Sequence, residues 1–211
     1  MVLLSGCIGE DIVDLTLVDE KLIINNRLAT LAVGDSYLLM ADYFNSMGNE
    51  EMAMIDWTSS NSDVISITDE GLAEAHMPGV VTISAMFMGI EDHIMVRASD
   101  ETAQVTNRTG RFMGANNYSV TGGFNMKEEG GQLILTFESD FASSTGPGLF
   151  IYLSNSSTGV TGGVEIGAIQ SNKGEQVYTL NLDDARLYTC DYIIVWCKPF
   201  GVLFGVGEFE N

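Results

Sequence analysis

Tyr192-Ile193-Ile194-Val195-Trp196-Cys197 decides the fold class. Six apolar residues in a row, several of them β-branched or aromatic, read as a strand covered on both faces. The chain then turns a corner at Lys198-Pro199-Phe200-Gly201 and resumes as Val202-Leu203-Phe204-Gly205. Upstream, Gln176-Val177-Tyr178-Thr179-Leu180 is another strand. Leu149-Phe150-Ile151-Tyr152-Leu153 is a strongly apolar one, ended by Ser154-Asn155-Ser156-Ser157. Leu133, Leu135 and Phe137 alternate inside Gln132–Phe137. Asp183-Asp184-Ala185-Arg186 is the only stretch here that suggests even one helical turn.

The first half reads the same way. Ala29–Val33 precedes the turn signal Gly34-Asp35, and Ser36–Ala41 follows as a mostly apolar strand. Asp56-Trp57-Thr58 stands before the polar turn Ser59-Ser60-Asn61-Ser62-Asp63. Val64–Thr68, Val80–Phe87 and Ile90–Val96 complete a set of short strands at sandwich spacing. The expected class is all-β: an immunoglobulin-like sandwich followed by a second β-sandwich. Residues 1–22 are expected to be a start segment and acidic tether, 23–98 the first domain, 99–110 a polar linker, and 111–211 the second domain.

Charge narrows the function. The chain of 211 residues has 29 acids, 9 bases and a net charge of −20. Residues 1–99 hold −13 and residues 100–211 hold −7, so no single acidic tail is responsible. A coat of this sign argues against nucleic acid and against electrostatic adsorption to an anionic membrane. Yet 45% of residues are hydrophobic, enough for real cores. The two histidines, His76 and His93, lie 17 residues apart with no cysteine nearby and read as surface residues. No metal site is expected, and no nucleophile–histidine pattern points to an enzyme.

Three cysteines remain: Cys7, Cys190 and Cys197. Cys197, beside Trp196 in an apolar strand, is either a buried small hydrophobe or a redox thiol. Cys190 stands seven residues earlier, and on one regular strand that odd spacing puts the two on opposite faces. A Cys190–Cys197 disulfide would need a bend near Asp191.

Three resemblances sit on these residues. Leu4-Ser5-Gly6-Cys7 resembles a bacterial lipobox, which implies lipid attachment at Cys7 of a precursor with a longer apolar leader. Acidic Glu10, Asp11 and Asp14 follow, and together they imply an exported protein on the outer membrane or surface of a Gram-negative bacterium, touching the membrane through the anchor only. Leu31-x-Val33-Gly34-Asp35-Ser36, Trp57–Ile67, Gly71-Leu72 and Ala75-x-x-Pro78-Gly79-x-x-Thr82-Ile83-Ser84-Ala85 resemble a group-two bacterial immunoglobulin-like domain. Such domains are spacers or adhesive modules, with Trp57 as a core anchor or, less in keeping, a glycan-stacking surface.

Gly110-x-Phe112, Tyr118-x-Val120-x-Gly122, Ser139-Asp140-Phe141, Gly146-Pro147-x-Leu149-Phe150-x-Tyr152-Leu153-Ser154 and Val195-Trp196-Cys197-Lys198-Pro199-Phe200 resemble the DM-thirteen domain. That β-module is associated with DOMON domains and with electron transfer. The resemblance implies a redox site at Cys197; Trp196 beside it and Cys190, which matches no position of the family, are the further redox candidates. It also implies either a bare thiol or a prosthetic group such as haem, and envelope proteins as redox partners. The competing expectation is a surface adhesion or ligand-binding protein, of glycans for example, with no redox centre.

Overall fold

The computed structural model describes residues 17–182 and 185–210. The lipobox-like Leu4-Ser5-Gly6-Cys7 and the Asp183-Asp184 pair lie outside them. Every regular element among the described residues is a strand, as the all-β reading expects.

The first domain contains β1 (Lys21–Ile24), β2 (Leu28–Ala32), β3 (Ser36–Leu38), β4 (Ala41–Phe44), β5 (Glu50–Glu51), β6 (Asp56–Ser59), β7 (Ile65–Ile67), β8 (Leu72–Ala75), β9 (Gly79–Phe87), β10 (Ile90–Ser99) and β11 (Ala103–Gln104). A five-stranded sheet, β11-β2-β10-β9-β6, shares one core with two small sheets, β1-β4-β5 and β3-β8-β7. Alternation builds that core: Val81, Ile83 and Ala85 of β9 point in, beside Ile94, Val96 and Ala98 of β10. Trp57 is buried against them. Gly71 has φ +86°, and a Cβ there would sit 2.6 Å from the Leu39 carbonyl oxygen and against the Trp57 indole, so only glycine fits.

The expected single strand Ser36–Ala41 is two strands. Leu39 N–H donates to the Gly71 carbonyl, and Met40 N–H donates to Asn26 Oδ1. Leu39 drops into the core while the chain passes from one small sheet to the other. Residues 99–110 are likewise woven in. β11 pairs with β2, and Ala32 N–H donates to Thr102 Oγ1.

The second domain contains β12 (Asn107–Gly114), β13 (Val120–Thr121), β14 (Gly123–Glu129), β15 (Gln132–Phe137), β16 (Ala142–Ser143), β17 (Leu149–Ser154), β18 (Val164–Ala168), β19 (Gln176–Asn181), β20 (Tyr192–Cys197) and β21 (Val202–Phe209). Eight of them form one antiparallel sheet in the order β18-β17-β20-β21-β12-β14-β15-β19. The sheet curls until its edges nearly meet, so its two packed layers are halves of one surface. Gln170, just past β18, donates to the Val177 carbonyl of β19 and its backbone N–H donates to Gln176 Oε1. An eight-stranded enclosure of this kind is just wide enough to be filled by side chains. Here Phe112, Phe124, Phe137 and Phe141 fill it, with ring centroids 4.6–5.3 Å apart among the contacting pairs. Gly122, at φ +112°, lets the chain pass where a Cβ would lie 2.4 Å from Phe141 Cα.

Between the domains lies a seam of cations and aromatic rings. The Arg27 guanidinium lies over one ring, Tyr188, at 4.3 Å, and Arg108 lies 4.9 Å from the same ring and 3.7 Å from Phe209. Lys21 pairs with Asp191 at 2.6 Å, and Arg27 pairs with Asp92.

Candidate functional site

β20 runs through the middle of the large sheet, between β17 and β21. Its alternation is regular. Ile193, Val195 and Cys197 face the phenylalanine-filled interior. Ile194 and, partly exposed, Tyr192 and Trp196 face an outer cluster with Tyr152 and Val206. Continuous apolarity therefore does mark a strand with apolar cover on both sides. β21 carries an extra residue opposite Val195–Trp196, a bulge that turns Phe204 inward.

Cys197 is 1% exposed, yet it is only one residue from the surface. Its Sγ–H donates to the Pro147 carbonyl oxygen at 3.4 Å. The loop from Ser144 to Gly148 forms its roof. Lys198 N–H donates to the Gly148 carbonyl, and Gly148 packs on Pro199. Beyond that roof Pro147, Lys198, Pro199 and Phe200 are exposed. Phe204, on the neighbouring strand, is stacked by Tyr118 at 3.7 Å.

Outside the sheet, Trp196 stands opposite Phe150 on one side and Leu203 on the other. The Lys198 ammonium lies 4.6 Å over the Phe150 ring and pairs with Glu165 at 2.7 Å. Glu165 also accepts the Tyr152 hydroxyl. The bond from Lys198, then that from Tyr152, holds the Glu165 carboxyl below its ordinary range, while burial and Glu165 push the Tyr152 phenol up to about 12.

Cys190 lies before β20, buried in the same interior as Cys197. The opposite-face geometry does not apply, because Cys190 is not on the strand: it directly follows the turn Leu187–Thr189 and precedes Asp191. Both cysteines are free. Five strand steps of about 3.3 Å put Tyr192 roughly 17 Å from Cys197. Two residues reach back at most about 7 Å, so the Cα separation exceeds the ~7 Å limit for a disulfide. Burial pushes the Cys190 thiol up to about 11, Asp191 adds to this, and Lys21 and Arg108 oppose it. The thiol is thus favoured over the thiolate in the folded state. The resulting stabilisation is complete below the ordinary cysteine range near 9 and fades as pH rises through 11. Over that window the wild type is expected to lose about 2–3 kcal/mol more stability than Cys190→Ala, read from urea midpoints at pH 8.5 and 11.5.

A haem does not fit these residues. Residues 100–211 contain no histidine. Met113 points outward, and Met126 is fully buried in the packed interior. The Cys197 thiol is engaged by Pro147, and phenylalanine rings occupy the space a macrocycle would need. His76 and His93 are exposed in the other domain, His76 bonded to Ser66 Oγ at 2.7 Å. The seam built by Arg27, Arg108 and Tyr188 carries no signal in sequence, because its members are far apart in the chain and share no pattern.

Residues 111–209 match the family model described as electron transfer DM13. No curated protein matches the chain. Among solved structures, surface layer protein SbsC, domains 4–9, is 12% identical, with TM-score 0.35, over 92% of this chain and 31% of that one. The S-layer protein SbsC domains 4 and 5 are 13% identical, with TM-score 0.32, over 92% and 98% of the two chains. This chain therefore spans about a third of the length of the first of these structures.

Proposed function

We propose that this is a lipid-anchored envelope protein, held at Cys7 on the outer membrane or cell surface, whose C-terminal domain transfers electrons through the Cys197 thiol. The N-terminal domain, resembling a group-two bacterial immunoglobulin-like module, is the spacer that carries it. The observation that carries the reading is the electron transfer DM13 match over 111–209, with Cys197 as a free thiol beneath a short loop. The chemistry that suits a bare thiol is exchange with a disulfide of an envelope partner. The Cys197 sulfur, deprotonated, attacks one partner sulfur; the partner S–S bond breaks and a mixed disulfide forms. The proton ends on the departing partner thiolate. Cys190 is too distant to resolve that bond, so the partner's own thiol must do so.

Such a thiol has to become accessible without global unfolding, through opening of the Ser144–Gly148 roof. Labelling the folded full chain with a small methanethiosulfonate, at concentrations where opening limits the rate, tests this. Cys197 is expected to react many times faster than the chain unfolds, with Cys197→Ser abolishing that fast phase. Labelling that tracks global unfolding alone would sink the redox reading.

The adhesive alternative has one observation in its favour, the partly exposed Trp196 flanked by Phe150 and Leu203 on the outer face. Aromatic platforms of this kind stack on apolar faces of ligands such as sugars. On this reading Trp196→Ala abolishes glycan-array binding seen with the wild type while leaving Cys197 labelling unchanged. An array with no wild-type binder removes it.

A further inference from the structure

Methionine is ordinarily a core residue. In this chain the distribution is reversed. Of eleven methionines, nine are exposed, from 42% at Met86 to full exposure at Met52, while Met126 alone among the described ones is fully buried. Eight of the nine are on the N-terminal domain, whose buried core contains no methionine. Met54, Met88 and Met95 are among the most open, at 90%, 83% and 71%.

We infer that these exposed thioethers are an oxidant sink for neutral two-electron oxidants, peroxide and hypohalous acids. Each sulfur gives two electrons and takes one oxygen atom. With hydrogen peroxide, the O–O bond breaks, the S=O bond forms and water leaves. With a hypohalous acid, the O–halogen bond breaks and halide and a proton leave. Sulfoxide formation makes an apolar side chain polar, which wrecks a core but is harmless where the side chain already meets water. The placement obeys that rule, with the N-terminal core built from Ile, Leu, Val, Ala, Tyr and Trp.

The scatter separates this role from two others that exposed methionines serve. A soft-metal site needs several sulfurs converging on one point. A docking face needs one contiguous apolar patch. Met47 lies in the turn after β4, Met77 before β9, Met88 in the β9–β10 turn, Met95 on β10 and Met113 in the other domain. Met40 and Met54 line one shallow groove, and none of the other seven exposed methionines lines it. The net charge of −20 keeps this apolar surface in solution and does not repel neutral oxidants.

The test is titration of the full chain with hypochlorous acid, with sites read by peptide mass mapping and packing by near-ultraviolet circular dichroism. All nine exposed methionines are expected to become sulfoxides before Met126, with the dichroism retained. A co-dissolved reporter protein inactivated by methionine oxidation should survive nine further equivalents in the presence of the wild type. That protection should fall by four equivalents for the variant Met52→Leu, Met54→Leu, Met86→Leu, Met88→Leu. Loss of dichroism with the first few additions would overturn the inference. So would shielding of Met86, Met88 and Met95 that disappears on dilution, because that face would then be an interface between copies. Neither outcome bears on Cys197 labelling, so this inference and the electron-transfer reading stand or fall separately.

Discussion

Phe137→Ala is expected to destabilise the C-terminal domain by about 3–5 kcal/mol. Phe137 is fully buried, and its ring touches three others: Phe112 at 4.8 Å, Phe141 at 4.6 Å and Tyr178 at 5.3 Å. Truncation removes the transfer energy of the ring and leaves a cavity. The enclosing sheet resists collapse into that cavity because it is hydrogen-bonded almost all the way round. For a domain of about 100 residues such a loss lowers the melting temperature by more than about 10 °C. Calorimetry of the full chain should show the C-terminal transition moving down. Phe137→Leu keeps most of the volume and should cost clearly less. Equal small losses for both variants would mean that the rings do not hold the enclosure together.

Arg108→Met is the second large effect, about 2–4 kcal/mol. The guanidinium donates to two backbone carbonyls, Leu187 and Cys190, each at 3.0 Å, and stacks on Phe209. Burial lowers its pKa, which is the cost of holding a cation there, and the fork of donors offsets that cost. Methionine preserves the stem and removes every donor. Two buried acceptors then lose their partner, and the turn leading into Cys190 loses its anchor. The expected signature is therefore double: a lower urea midpoint, and Cys190 becoming reactive toward a small thiol reagent under conditions where the wild-type residue is silent. Arg108→Lys should restore only part of either, since one ammonium cannot reproduce a planar fork. Unchanged Cys190 protection in the methionine variant would show that Arg108 does not fasten this turn.

Both predictions sit on features that were unequally visible in the sequence. The alternation of Leu133, Leu135 and Phe137 announced which face of β15 is buried, and the structure places all three in the core. The corner at Lys198-Pro199-Phe200-Gly201 was legible because turns are written in adjacent residues, and the structure has a turn there. Arg108 was not legible, because a cation in a polar stretch reads as solvated until the partner carbonyls, about 80 residues away, are in place. Cys197 was legible as a residue and not as an environment. Its strand could be read, but its roof of Pro147 and Gly148 comes from a loop 50 residues earlier.

By itself the sequence determined local terms: the all-β class, most of the longer strands, the inward face where alternation is clean, as at Leu133, Leu135 and Phe137, and the acidic coat. These depend on a period of two and on backbone preferences that neighbouring residues set. Only the tertiary structure decided that the second half closes on itself around four phenylalanines. The same holds for the separation of Cys190 from Cys197 by the length of β20, and for the convergence of Arg27 and Arg108 on Tyr188. It also showed that nine of the methionines, silent in composition, lie outside the core, while Met126 lies within it. The physical reason is common to all four. Strand order, closure and exposure are set by pairings between distant segments, whose energies appear only once the chain has brought those segments together.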